Sequence, residues 1–278
     1  MIKFTSVSKY FPPDSYAIDD VSFDIDAGEL VLLTGPSGSG KTTIMKLLTR
    51  ECQATSGNIF FADKNLNEVK QSQIHEHKRK IGVVFQDYKL LPELNIWENI
   101  ALPLSIMSKK QDEIERRVTD LLTLISLIDK AFLFPKQLSG GEAQKISIAR
   151  ALSTGPTIVF ADEPTGNLDR ETSLEIGKLF QKINSLGTTI ILATHDHDIM
   201  ELLKDARQID LEKGKIKRDT KPKKESESKE KPEPEEKSSL VADDKKEKKE
   251  KETSSSKAKS KLKETKNLDK AKNINKKK

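Results

Sequence analysis

Along most of the chain, short apolar stretches alternate with segments of helical period. Residues 2–7 (IKFTSV) and 20–28 (DVSFDIDAG) alternate apolar and polar positions, as strands with one face on a core do, and the second is expected at a sheet edge. Residues 29–35 (ELVLLTG), 80–87 (KIGVVFQD), 157–164 (TIVFADEP) and 188–196 (TTIILATHD) are instead continuous apolar runs, the pattern of strands buried on both faces of a parallel sheet. GNIFFAD at 57–63 predicts one more strand. Helical period occupies 42–50 and returns between Glu98 and Ile128, where Ile114, Val118, Leu121, Leu122, Ile125 and Ile128 make the apolar stripe of one amphipathic helix. It returns again at Gly141–Leu152 and at 172–186, where Gly187 is placed to end the helix. Buried strands alternating with helices predict an α/β fold with a mainly parallel sheet, interrupted by a helical segment over about 88–150.

Composition divides the chain. Of 49 Lys+Arg and 44 Asp+Glu, 21 and 14 fall at or after Asp219, so residues 219–278 carry net +7 and residues 1–218 net −2. The basic balance therefore belongs to the tail and gives no reason to expect the folded part, 1–218, to bind a specific nucleic acid. The tail has no aromatic residue and few large aliphatic ones, so it is expected to be disordered, with a polybasic end that suits anionic lipid or RNA. Cys52 is the only cysteine, which fits a reducing compartment. No signal peptide and no membrane-spanning run are expected.

GPSGSGKT, Gly35–Thr42, matches G-x-x-x-x-G-K-[ST] between a buried strand and a helix. Gly35, Pro36, Ser37, Gly38, Ser39 and Gly40 let consecutive backbone N–H groups turn toward phosphate oxygens, and the helix start adds partial positive charge. Lys41 is placed for the β- and γ-phosphates, Thr42 for Mg²⁺, and Thr43 follows. A P-loop also needs a carboxylate at the end of a neighbouring apolar strand. TIVFADE supplies Asp162 for the metal, then Glu163 for the attacking water. Gln86 and His195 end strands of the same expected sheet and are placed to reach the γ-phosphate or its water. His75 and His77 lie in a polar connection with no third metal ligand nearby. LSGGE, Leu138–Glu142, is a second glycine-rich helix start, yet no lysine accompanies it.

The P-loop, Gln86, LSGGE, Asp162–Glu163, Asp169 (in GNLD) and His195, in this order apart from small gaps, resemble the ATP-binding-cassette (ABC) ATPases over residues 1–218. The resemblance implies a P-loop ATPase core with an antiparallel β subdomain and a helical subdomain carrying the signature. It also implies a homodimer in which two cassettes pack head to tail around ATP. Ser139, Gly140 and Gly141 would cap the nucleotide held by the partner's Lys41, which explains the missing lysine. By the same resemblance Phe11, or else Tyr10, stacks on adenine. Gln86 senses the γ-phosphate and joins Thr42 and Asp162 around Mg²⁺, Glu163 is the catalytic base, His195 the switch histidine, and Asp169 crosses the dimer interface. FQDYKLLP and ADEPTGNLD resemble a wider group that includes lipoprotein-release and macrolide-export cassettes, whereas the short start, the early FTSVSKYF and FPKQLSGGE resemble the cell-division branch of the family. That branch implies a peripheral subunit on the cytoplasmic side of the membrane, working with a separate polytopic membrane protein and the division machinery. The alternative is a cassette of the lipoprotein-release or macrolide-export type. A cassette acting on ribosomes or DNA fits less well, because there is one cassette and no coiled-coil insertion. The sequence departs from the family at Ala143-Gln144-Lys145 and in its Lys/Glu-rich tail.

Overall fold

The computed structural model describes residues 1–13 and 15–221. β1 (Ile2–Phe11) and β2 (Ser15–Ile25) form an antiparallel pair. β3 (Leu30–Thr34) leads through the glycine-rich loop into α1 (Lys41–Leu48). β4 (Ser56–Phe61), the short β5 (Lys64–Asn65) and α2 (Ile74–Lys78) precede β6 (Ile81–Val84). Three helices follow: α3 (Ile96–Ile106), α4 (Gln111–Leu124) and α5 (Gly140–Leu152). The chain then runs β7 (Ile158–Asp162), α6 (Arg170–Ser185), β8 (Thr189–Ala193), α7 (His197–Leu202), β9 (Arg207–Glu212) and β10 (Lys215–Asp219).

Two sheets result. The six-stranded sheet has the order β10-β9-β3-β8-β7-β6, parallel except for β10, and the four-stranded antiparallel sheet has the order β2-β1-β4-β5. The expected fold class is what is found, with β2 on the predicted edge. In β3, Leu32 joins the core formed with α3–α7, whereas Val31 and Leu33 join the core formed with α1 and the antiparallel sheet. Side chains alternate across a strand, so both faces of an apolar run are covered and the continuous pattern is explained. Strand ends of β3, β6, β7 and β8 therefore converge on one edge of the sheet.

Several expectations need correction. The stripe from Ile114 to Ile128 is not one helix: α4 stops at Leu124 and Ser126 adopts φ +58°. Ile125 and Leu127 stay buried, but Ile128 leaves the stripe and is 43% exposed. The segment from Glu98 is also broken, by Ser108 at φ +54° between α3 and α4. His77 is not in an open polar connection. It is buried in α2, its Nε2 donates to the Leu48 carbonyl at 2.6 Å, and its ring meets Phe61 edge-on. Burial holds its pKa below the ordinary histidine value, against the opposing effect of that hydrogen bond.

The strands and helix after His195 have no counterpart in the pattern reading. α7 is under two turns long, β10 is mostly charged, and β9 has only two apolar residues, Ile209 and Leu211, both buried in the core. Arg207 at the start of β9 is buried and joins the sheets: its guanidinium donates to Asp219 of β10 at 2.6 and 2.7 Å, to Glu29 at 3.1 Å and to the Asp24 carbonyl of β2 at 2.6 Å. The boundary expected after Arg218 thus falls inside β10. Lys221 still pairs with Asp24 and, at 3.3 Å, with Asp26. From residue 222 on, the Lys/Glu-rich segment lies outside the described residues.

Candidate nucleotide site

The loop between β3 and α1 turns through left-handed glycines, Gly35 at φ +137° and Gly40 at φ +113°. Neither position has room for a side chain: a Cβ on Gly35 would stand 2.2 Å from the Leu211 carbonyl oxygen, and one on Gly40 2.6 Å from that of Ala17. The tight packing leaves the start of α1 without a side-chain cap and without an acid in its first turn. Its N–H groups are thus left for an anion. Ser39 Oγ is buried with no hydrogen-bond partner among the described residues. Lys41 is buried, its ammonium donating to the carbonyls of Gly35 at 2.7 Å and Pro36 at 3.2 Å.

β7 and β8 deliver the acids and the histidine. Thr42 Oγ1 donates to Asp162 Oδ2 at 2.8 Å. Asp162 Oδ1 is buried without a hydrogen-bond partner among the described residues. Burial raises the Asp162 pKa, and the adjacent Glu163 adds to this, while the Thr42 hydrogen bond opposes it. Glu163 sits in the left-handed region at φ +48°, a conformation that a non-glycine residue adopts at a cost of about 1–3 kcal/mol. That turn points its carboxylate at Lys41 Nζ, 3.2 Å away, and at His195 Nδ1, 2.9 Å away. The His195 backbone N–H donates to Glu163 Oε2 at 3.3 Å. Asp196, which accepts from the N–H of Asp198 at 2.9 Å and from Thr165 Oγ1 at 2.9 Å, pins the chain just beyond the histidine.

Gly40, Lys41, Thr42, Asp162, Glu163 and His195 line one cavity of about 660 Å³, together with Ser37, Gly38, Thr43 and Gln86. Gln86 is turned toward Asn167, with Nε2 3.4 Å from Asn167 Oδ1, while the Asn167 amide donates to the Gln86 carbonyl at 3.3 Å. Asn167 was missed in the sequence, although it stands two residues before Asp169 in the same GNLD word. The donor set fits a hard divalent cation at Thr42 and Asp162: a hydroxyl, and a carboxylate one of whose oxygens is buried without a hydrogen-bond partner among the described residues. Gln86 shares the cavity, but its amide bonds Asn167.

Other predicted residues lie outside this cavity lining. Ser139 caps α5: its Oγ accepts from the Glu142 N–H at 3.3 Å and its own N–H donates to Glu142 at 3.0 Å, a capping box. The Lys130 hydrogen bond holds the Glu142 pKa below the usual carboxylate value, helped by that of Ser139. Gly140 is exposed, but Gly141 is buried where a Cβ would meet Thr172 Cγ2 of α6 at 2.3 Å. Close helix packing within the chain is thus one reason for that glycine. Asp169 caps α6, accepting from Thr172 N at 3.0 Å and Thr172 Oγ1 at 2.7 Å. Phe11, at the end of β1, is 40% exposed with Lys9 Nζ 4.8 Å above its ring. Tyr10 is engaged elsewhere: its ring leans on Tyr16 and its hydroxyl donates to the Pro13 carbonyl.

A family profile for the ABC transporter family matches residues 18–166. The chain is 45% identical over 219 residues to the cell division ATP-binding protein FtsE of Bacillus subtilis, covering 79% of this chain and 96% of that one. To FtsE of Escherichia coli it is 41% identical over 200 residues, covering 72% and 90%. Among solved structures, the ATP-binding cassette MJ0796, a dimer in a post-hydrolysis state bound to ADP and Pi, superposes with a TM-score of 0.71 at 34% identity, covering 79% of this chain and 97% of that one.

Proposed function

This chain belongs to the ABC transporter family and hydrolyses ATP, and on that premise we propose that it is the FtsE-type ATPase of a cell-division complex, acting as a homodimer with an FtsX-like polytopic membrane protein. The observation that carries the reading is the convergence of Lys41, Thr42, Asp162, Glu163 and His195 on one cavity, in a chain that matches relatives of that name over 96% and 90% of their own length. The lipoprotein-release or export alternative has no specific observation in its favour. Among the described residues no helix is long and apolar enough to cross a membrane. The proposed place is peripheral, on the cytoplasmic face, held by the membrane partner.

In this reading the P-loop amides and Lys41 bind the phosphates. Thr42 and Asp162 hold Mg²⁺, which neutralises phosphate charge when bound. Glu163 accepts a proton from the attacking water, and His195 keeps its carboxylate aimed at that position. Phe11 takes the adenine. Ser139 and Gly140 stand at the start of α5 for the partner's nucleotide, with Asp169 crossing to the partner. Lys41→Ala is expected to weaken nucleotide affinity at least about tenfold, since it removes a buried charge-assisted donor. Titration with a fluorescent ATP analogue checks this, and parent-like affinity would remove Lys41 from the phosphate site.

One groove supports a docking place for the partner. An apolar groove of about 450 Å³ beside β6 and α3 is lined by Val83, Phe85, Pro103, Ile106 and Met107, with Arg79 on its rim. Phe85, which precedes Gln86 in the chain, is part of its lining, and Ile106 is 67% exposed. A short amphipathic segment of the membrane protein fits such a groove. Ile106→Glu is expected to abolish partner capture from detergent-solubilised membranes while leaving ATP binding intact. Identifying what is captured tests the whole reading. A single division protein of the FtsX kind supports it, and a lipoprotein-release or export permease transfers the ATPase to transport.

A further inference from the structure

The hairpin β9–β10 touches the phosphate loop at three places without lining the nucleotide cavity. β9 runs parallel to β3, with Asp210 opposite Thr34, the residue just before Gly35. The Thr34 hydroxyl, buried at the end of β3, donates to the half-buried Asp210 carboxylate. A hydroxyl bond to a carboxylate is charge-assisted and stronger than a neutral one. The next carbonyl along β9, that of Leu211, is the atom that leaves Gly35 no room for a side chain. At the tip of the hairpin the Gly214 N–H donates to the Ser39 carbonyl at 3.0 Å, and the Gly214 carbonyl accepts from the Asp19 N–H of β2 at 2.9 Å. Lys215 pairs with Asp19 at 3.0 Å, so the tip is tied to β2 as well as to the loop. None of Asp210, Leu211 and Gly214 is among the residues around the nucleotide cavity.

The loop from Gly35 to Ser39 is thus fastened at both ends by one hairpin. Inside it, the carbonyls of Gly35 and Pro36 accept from the Lys41 ammonium at 2.7 and 3.2 Å. Where those carbonyls point depends on how the chain leaves Thr34, because Gly35, at φ +137°, has no side chain of its own to fix the turn. We propose that Asp210, acting through the Thr34 hydroxyl, is a positioning residue for the phosphate loop. It fixes the exit of β3 while Gly214 fixes the loop at Ser39, and together they hold the loop amides and Lys41 in the arrangement that takes the phosphates. Asp210 touches no nucleotide in this role. Glu163 and His195 come from β7 and β8, on the other side of β3 in the sheet, so the hairpin bears on nucleotide binding and not on the proton transfer. The inference rests on Gly35–Thr42 being the phosphate site.

The test uses the full chain and measures ADP affinity, by fluorescence titration, and ATP turnover. Thr34→Val keeps the shape and removes the hydroxyl. It is expected to weaken ADP binding about fivefold and to raise KM for ATP in step, with kcat within about twofold, a change that one hydrogen bond accounts for. Asp210→Leu, which removes the acceptor, is expected to do the same. Asp210→Asn keeps a carbonyl oxygen and is expected to return ADP affinity to within about twofold of the parent. The double variant Thr34→Val/Asp210→Leu is expected to lose no more than either single one, because both remove the same interaction. Arg207→Met weakens β9 at its far end and is expected to leave ADP affinity within about twofold of the parent. Parent-like affinity in both single variants overturns the proposal, and so do losses that multiply in the double variant. A loss in Arg207→Met equal to that in Asp210→Leu also overturns it, because general loosening of the sheet then explains the effect. If Thr34→Val does not fold, Asp210→Leu against Asp210→Asn decides. The Lys41→Ala titration separates this proposal from the site it rests on. Parent-like affinity there removes the phosphate site and the positioning role with it, whereas a loss there beside parent-like Thr34 and Asp210 variants removes the positioning role alone.

Discussion

Glu163→Gln is expected to lower ATP turnover at least about 100-fold, in line with the 10²–10⁴ that a general base contributes, while ATP stays bound. The amide has the shape of the carboxylate and keeps a hydrogen-bonding atom near His195 Nδ1, now 2.9 Å from Oε1. It also tolerates the φ of +48° as the glutamate does. What it loses is the negative charge, and with it both the acceptor for a proton from water and the ion pair to Lys41 at 3.2 Å. That ion pair occupies Lys41 before nucleotide arrives, so removing it frees the lysine for phosphate. The ATP-bound variant should therefore accumulate as a dimer. Phosphate release under steady state gives the first quantity and light scattering with and without ATP the second. Hydrolysis at the wild-type rate would remove Glu163 from the role of base.

Arg207→Met is expected to destabilise the fold by about 3 kcal/mol, because breaking a buried pair strands its acidic partners. The side chain is 5% exposed, whereas Glu29 and Asp219 are 20% and 27% exposed, which puts the effect at the low end for buried pairs. The residue links β9 to β10, to β2 and to the turn before β3, so its loss loosens the joint between the two sheets rather than one strand. Urea unfolding measures the change. The pH dependence has a defined sign. Burial alone would raise the Asp219 pKa, but the hydrogen bonds from Arg207 and Lys221 outweigh it and hold the pKa below the ordinary value. A depressed folded-state pKa adds stability that is complete above the unfolded value of about 3.9 and disappears as pH falls through the folded one. Without Arg207, burial acts unopposed by its guanidinium, so the variant should begin to unfold at a higher pH on acid titration than the parent. An unchanged acid midpoint would show that Asp219 draws its stabilisation from elsewhere.

Much of this was legible in the residues themselves because it is local. A P-loop needs its glycines, lysine and threonine within one turn of chain, so Gly35–Thr42 announce it wherever the rest of the fold goes. Apolar runs buried on both faces announce a parallel sheet for the same reason. Even the pairing of Asp162 with Thr42 followed from a rule that relates a strand end to a loop. Other features depend on segments far apart in sequence meeting in space. Whether His77 is solvated or buried was decided by Phe61 and Leu48, and the need for glycine at position 141 by Thr172 on another helix. Ile128 matched the helical period, yet Ser126 turned the chain away one turn too early. Asn167, although it sits within GNLD, and Arg150 acquire their contacts only against Gln86, Tyr88 and Lys89.

The sequence by itself determined the chemistry, an ATP-hydrolysing P-loop site and a second glycine-rich helix start without a lysine, because covalent spacing decides which groups share one turn or one strand end. Only the tertiary structure decided which groups meet across it: Glu163 between Lys41 and His195, Arg207 between the sheets, and Arg150 on the turn beyond Gln86. Contacts of a few ångströms between residues tens of positions apart are set by packing, and no local pattern encodes them.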